Sequence, residues 1–296
     1  MTGLTFAVRA PASSANLGPG YDCAAAALDL WNELYVTPGT GTLIVEGDGA
    51  SDPELTHNNV VQQTFRRIAG STADTVDLRC VNRVPIARGL GSSTAAAALG
   101  FIAGWHATGS VWNADRLFDE LTRHDGHPDN AAAVAYGGVV WCGPESSAHQ
   151  LSTGEQLACV CIVPDRRLST AASREAVPEH VPTRAATAQA SAAGMLAAGL
   201  VTGNRDLLRA GLHGDHLHET ARGTLVPELD VIRSQMSERD DVLGVTLSGA
   251  GSTIAVWTSP EAASTITTAL QAVWRDGYQV ISCATTPTGS GVFLPS

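Results

Sequence analysis

Val84-Pro85-Ile86-Ala87-Arg88-Gly89-Leu90-Gly91-Ser92-Ser93-Thr94-Ala95-Ala96-Ala97-Ala98 is the stretch on which the fold turns. Gly89 and Gly91 let the backbone bend tightly and come close to a ligand. Ser92 and Ser93 stand where a helix N-cap is expected. The alanines behind them predict a helix over 92–105 with almost no polar face after its first turn, and a helix apolar all round belongs in a core. Its first turn presents unpaired N–H groups and roughly half an elementary positive charge, so its tip is an anion site. A serine hydroxyl in that turn also suits Mg²⁺ carried by a triphosphate. Taken alone, the stretch serves equally well as a glycine turn capping a buried helix.

Composition favours the anion site. All 18 basic residues of the 296 are arginines, against 29 acidic residues, for a formal charge of −11. That balance gives no global attraction to nucleic acid or anionic lipid. The missing lysine excludes a Schiff-base lysine, a lysine nucleophile and the lysine-dependent phosphate loop. Anions are left to arginine, backbone N–H groups or a metal. With 44% hydrophobic and 16% charged residues the chain is globular, and its length allows one large domain or two ordinary ones. No segment approaches the ~20 apolar residues needed to span a bilayer, and residues 1–10 have no signal-peptide layout. Six cysteines without a Cys-x-x-Cys pair read as free buried thiols of a cytoplasmic protein, with Cys159 and Cys161 on one side of a strand at 157–163.

Two further loops accompany the first. Residues 11–22 (Pro-Ala-Ser-Ser-Ala-Asn-Leu-Gly-Pro-Gly-Tyr-Asp) hold a turn at Gly18-Pro19-Gly20, from which Asn16 and Asp22 offer an amide and a carboxylate. Residues 245–254 read as strand, small-residue loop (Ser248-Gly249-Ala250-Gly251-Ser252) and strand. Either loop by itself is an ordinary turn. Strands are predicted at 5–8, 34–37, 42–46, 77–81, 139–142, 157–163, 242–247, 253–257, 279–283 and 291–294. Helices are predicted at 59–69, 92–105, 114–123 capped by Asn113, 131–135, 185–200, 205–217, 228–237 and 262–274. Mixed elements in both halves give an α+β protein, divided near the polar segment 143–154.

The three loops, in this order, resemble those of the GHMP kinase superfamily, which includes galactokinase, homoserine kinase and mevalonate kinase. Residues 85–98 are similar to its ATP-binding motif and 248–252 to its C-terminal glycine motif. Within it the chain is most similar to the homoserine kinases, through 11–22, Gly126-His127-Pro128-Asp129-Asn130, Arg174-Glu175-Ala176-Val177-Pro178, and 215–227 with His218 and Arg222. The resemblance implies a two-domain architecture. Residues 1–150 would form an ATP-binding domain like domain 2 of ribosomal protein S5, and 151–296 a ferredoxin-like domain, with the substrate cleft between them. It also implies ATP, Mg²⁺ and a homodimer.

By matching positions, Asn16, Asp22, Asn130, Arg174 and Arg222 would hold an amino acid, with His127, Gly249 and Gly251 beside it. Pro85, Arg88, Gly89, Leu90, Gly91, Ser92, Ser93 and Thr94 would hold the nucleotide, Asn59 would lie near the adenine, and Ser93 and Asp125 would bind the metal. The implied reaction is phosphorylation of the L-homoserine hydroxyl, a step of threonine biosynthesis. Other acceptors such as threonine or serine, or a silent nucleotide-binding paralogue, are the alternatives. They arise from departures: Asp125 for glutamate, Thr94 for alanine, Tyr21 for phenylalanine, Cys23 for serine, and unusual residues at 189–192 and 219–221. Arginine suits a substrate carboxylate because its fork binds bidentately, and Asp22 with Asn16 suits an α-ammonium. The resemblance implies no obvious general base, with Asp22 or His127 orienting the hydroxyl. His213, His216 and His218 form no closed metal set and read as a helix end.

Overall fold

The computed structural model describes residues 5–293. Strands β1 (Phe6–Ala15), β2 (Ala24–Pro38) and β3 (Leu43–Gly47) open the chain. Helices α1 (Pro53–His57) and α2 (Val60–Ala69), strand β4 (Val76–Asn82), helices α3 (Ser92–Ala107), α4 (Ala114–Asp125) and α5 (Asp129–Tyr136), and strands β5 (Val139–Cys142) and β6 (Ala148–Ser152) follow. The rest comprises β7 (Ala158–Pro164), α6 (Thr170–Glu175), α7 (Thr183–Thr202), α8 (Arg205–Leu212), α9 (Glu219–Arg222), α10 (Glu228–Met236), β8 (Val242–Leu247), β9 (Ile254–Thr258), α11 (Pro260–Val273), β10 (Tyr278–Ala284) and β11 (Gly291–Phe293). The first sheet has the order β11-β1-β2-β4-β3, with β5 and β6 continuing from β2, and the second is β10-β7-β9-β8. The fold is α+β, as expected, and β11 returns from the chain's end to pair with β1. Residue 294 of the expected last strand lies outside the described residues.

Pleat alternation sorts the core into layers. Ala25 and Ala27 of β2 face a cluster built with α2 to α5, whereas Ala24, Ala26 and Leu28 face a second cluster shared with Cys159, Cys161 and Trp257 of the other sheet. Val160 and Ile162 of β7 turn to a third cluster with α10 and α11. Strand β7 is therefore covered on both faces, which is why its sequence is an unbroken apolar run. Cys159 and Cys161 do share a side, their sulfurs 3.4 Å apart, and all six cysteines are free.

Several expectations are corrected. Residues 24–28 read as nothing regular because alanine has low strand propensity, yet they are central strand, since only small side chains fit between two packed layers. Strand β1 runs on through Ala15, with a bulge at Pro11/Ala12 that accommodates the proline. The helix expected over 205–217 stops at Leu212. A Cβ at Gly214 would lie 2.3 Å from Ala192, and Asp215 Oδ2 then accepts N–H bonds from Leu217, His218 and Glu219 to start α9. His213 and His216 consequently share no helical face; both are exposed, while His218 is buried. Among the described residues one helix, α7, is long and apolar enough to cross a bilayer by length and composition, against the expectation that none is. It packs Leu196 and Leu200 against Leu208 and Leu212 of α8 as an αα-hairpin.

Helix α3 approaches α2 closely at two glycines. A Cβ on Gly100 would fall 1.9 Å from Thr64 Oγ1 and 2.4 Å from the Val61 carbonyl, which is backbone and cannot rotate aside. Gly100→Ala gains about 1 kcal/mol of helix propensity. Overpacking against fixed backbone costs more, so a net loss of about 1–2 kcal/mol is expected in urea unfolding.

Candidate active site

The three glycine-bearing loops cross at the tip of α3. The Ser13 N–H donates to the Leu90 carbonyl (3.1 Å), Ser248 Oγ to the Gly89 carbonyl (2.7 Å) with Ser14 Oγ lying 2.9 Å from that hydroxyl, and the Gly249 N–H to the Ala15 carbonyl (3.1 Å). So close a crossing leaves no room for side chains. A Cβ on Gly89 would lie 2.2 Å from the Ser248 carbonyl oxygen, and one on Gly91 2.0 Å from Ser13 Oγ. Gly91, at φ 67°, is itself the N-cap of α3. Ser92 and Ser93 are therefore the first two helical residues rather than caps, which leaves the amides of the first turn unpaired. Ser92 Oγ accepts from the Ala87 N–H at 3.4 Å, and Ser93 is exposed.

That tip opens on a cavity of about 520 Å³. Gly89, Gly91, Ser92, Ser93, Thr94 and Asp125 line it, together with Asn16, Asp22, Asn59, His127, Asn130, Arg174, Arg222, Gly249 and Gly251. The structure thus brings together most of the residues singled out from sequence. Pro85, Arg88 and Leu90 do not line it. Arg88 instead donates to the carbonyls of Ile86, Pro164 and Asp165 and to Asp48, clasping the loop to the end of β7, and Leu90 is core. Asn59 lines the cavity with its amide already occupied: Oδ1 caps α2 at Gln62 N (3.1 Å).

Charge is distributed unevenly around the cavity. Arg174, carried by α6, binds Asp22 bidentately at 3.1 and 3.2 Å. Arg222 is 2% exposed and donates Nε to the Ser173 carbonyl (2.9 Å) and Nη1 to the Gly249 carbonyl (3.1 Å). No carboxylate lies within 4.0 Å of it among the described residues. Burial pulls its pKa below the ordinary arginine value, an effect the Asp22 and Asp215 charges oppose. Asn16 is buried, its Nδ2 on the Gly249 carbonyl (2.9 Å) and its Oδ1 on the Asp22 N–H (3.1 Å), so it braces two loops. Asn130 Oδ1 accepts from Ser13 Oγ at 2.7 Å. Asp129 Oδ1 holds His127 Nδ1 at 2.8 Å, and that bond raises the pKa of His127 against the opposing effect of burial. Asp125 Oδ2 accepts from Thr94 Oγ1, while burial pushes its carboxyl above the usual range.

Residues 58–138 match the GHMP kinases N terminal domain family, and residues 196–276 the GHMP kinases C terminal family. The chain is 38% identical over 257 residues to homoserine kinase of Deinococcus radiodurans, covering 84% of this chain and 83% of that protein. It is 36% identical to homoserine kinase of Rhodococcus erythropolis over 85% of each chain. The chain belongs to the homoserine kinase family. The crystal structure of homoserine kinase from Cytophaga hutchinsonii superposes with a TM-score of 0.84 at 25% identity, over 98% of this chain and 97% of that one. The two-domain GHMP kinase fold and a phosphotransferase activity accompany that membership.

Two of the departures expected from the resemblance meet in space: Thr94 bonds Asp125, so that carboxylate is tethered to the first turn of α3. The others do not line the cavity, although Tyr21 packs under Arg222, which does. Gln189 braces the Pro19 carbonyl and Asp215, and Glu219 turns to Arg233 and the Leu247 N–H, its burial pushing the carboxyl up to about 7. Sequence reading missed Asp129, Ser13, Ser173 and His218 as supports, although Asp129, Ser13 and His218 sit inside quoted motifs. It also missed α6, a helix too short to show a period. Asp129→Asn is expected to lower the His127 pKa, since the bond it weakens is what raises it; NMR titration of the His127 ring measures this.

Proposed function

We propose that this chain transfers the γ-phosphoryl group of ATP to the side-chain hydroxyl of L-homoserine, giving O-phosphohomoserine on the way to threonine. The observation that carries this reading is Arg222: a buried cation with no carboxylate within 4.0 Å among the described residues, lining the same cavity as the open tip of α3. Burying an unpaired charge costs several kcal/mol, and a substrate carboxylate offsets it bidentately. An α-amino acid suits the rest. Its zwitterion exchanges the Asp22–Arg174 pair for two complementary ones, ammonium on Asp22 and carboxylate on Arg174 and Arg222.

The α3 amides and Gly89–Gly91 backbone hold the phosphates, and Val45, Val60, Asn32 and Asn82, which also line the cavity, suit the base. Mg²⁺ prefers oxygen donors, and Ser93 with the Asp125 oxygen not taken by Thr94 fit that preference. Bound there, Mg²⁺ would offset charge on the terminal phosphates. The hydroxyl oxygen bonds the γ-phosphorus, the bond to the β-phosphate oxygen breaks with its electron pair leaving on ADP, and the hydroxyl proton passes to a phosphate oxygen. Asp22 is poorly disposed as a base, since its oxygens are given to Arg174 and, once substrate exchanges that pair, to the ammonium, and His127 is biased toward its cation. Residues 1–150 and 151–296 are taken as the two domains, the second sending β11 back to the sheet of the first, of a cytoplasmic homodimer with no nucleic-acid or membrane partner.

ADP release across L-homoserine, L-threonine and L-serine tests the acceptor; fastest turnover with another amino acid would replace homoserine, and no Mg²⁺-dependent turnover with any would end the kinase reading. Arg222→Ala is expected to raise the amino-acid KM by about 100-fold while the ATP KM stays put. Asp22→Ala should cut turnover sharply with ATP binding nearly intact, and unchanged turnover would remove Asp22 from the site.

A further inference from the structure

We infer that His218 is a positioning residue that aims Arg222 at the substrate carboxylate, a role that rests on the function proposed above. His218 is wholly buried and does not line the cavity, so it meets no substrate. Its Nε2 lies 3.0 Å from the Gly18 carbonyl, which can only accept, and its Nδ1 lies 3.3 Å from Arg222 Nη1, which can only donate. Those two partners select one state, neutral imidazole with hydrogen on Nε2 and a lone pair on Nδ1, and Asp215 Oδ1, 3.6 Å from Nε2, stands on the side that keeps its hydrogen. Tyr21 stacks on the ring at 5.1 Å and also lies under the Arg222 guanidinium.

The consequence for Arg222 follows from counting donors. Nε goes to the Ser173 carbonyl, and the two Nη1 hydrogens go to the Gly249 carbonyl and His218. Every one of these acceptors is neutral. Nη2 keeps both hydrogens and has no hydrogen-bond partner among the described residues. A carboxylate at position 218 would hold the guanidinium equally well but cancel its charge. The imidazole fixes the orientation and leaves the full positive charge for the ligand.

Glutamine can replace the Nε2 donor and asparagine the Nδ1 acceptor, so two variants separate the two bonds. His218→Gln keeps the tie to Gly18 and loses the one to Arg222; a fall of about tenfold or more in kcat/KM for L-homoserine is expected, through KM, with the ATP KM unmoved. His218→Asn restores an acceptor for Arg222 and should recover most of that loss. In an Arg222→Ala background His218→Gln should cost nothing further. Equal losses in both variants, a parallel change in the ATP KM, or an undiminished cost in the Arg222→Ala background would overturn the role.

Ring ¹⁵N shifts of the unsubstituted protein supply a readout independent of variants and of turnover. The Nε2–H tautomer at neutral pH is expected, and a cation or an Nδ1–H tautomer overturns the assignment. Equilibrium titration of the unsubstituted protein with L-homoserine, L-threonine and L-serine separates the two claims. Binding of a different amino acid corrects the acceptor, and the His218 cycle is then read with that ligand; binding of none overturns both.

Discussion

The crossing of three main-chain segments at the tip of α3 is the constraint on which the site depends. Ser13, Gly89 and Ser248–Gly249 come so near one another that any Cβ at Gly89 or Gly91 would overlap a neighbour. Backbone N–H and carbonyl groups and serine hydroxyls do the joining, so the crossing consumes no charged side chain. That economy suits a chain without lysine. On the function proposed above, the phosphate side is left to helix amides, and arginines remain free for the other substrate.

The two arginines have unlike roles because their surroundings differ. Arg174 sits on short α6 with its charge already matched by Asp22, a pair that a zwitterion can open and replace. Arg222 is held only by neutral acceptors in a buried setting, so its charge is unspent. Around them Asp215, Gln189 and His218 tie α9 to the Gly18–Gly20 turn. These three residues form a scaffold that couples the first domain's opening loop to the second domain's arginine.

How much could be read beforehand varied with the kind of signal. The apolar helix behind Ser92, the capping by Asn113 and the strand β7 all follow from local pattern and were read correctly, while the burial of β7 on both faces emerged only in the fold. Residues 24–28 were missed because alanine carries no strand signal of its own; the layers above and below it decide. The end of α8 was overrun because residues 215–216 are held by Gln189, a residue remote in sequence. Arg88 was placed with the nucleotide by its motif, but its guanidinium clasps the end of β7.

By itself the sequence determined the chemistry on offer: no lysine, three small-residue loops, an amide-rich helix tip, and arginines matching a family that phosphorylates an amino-acid alcohol. Those are properties of residue type and short-range order. Only the tertiary structure decided which groups are free. It spent Asn16 and Asn59 on bracing and capping, paired Asp22 with Arg174, joined Thr94 to Asp125, and left Arg222 without a counter-ion. Whether a polar atom is available depends on its partners, and those partners come from segments that the chain brings together only on folding.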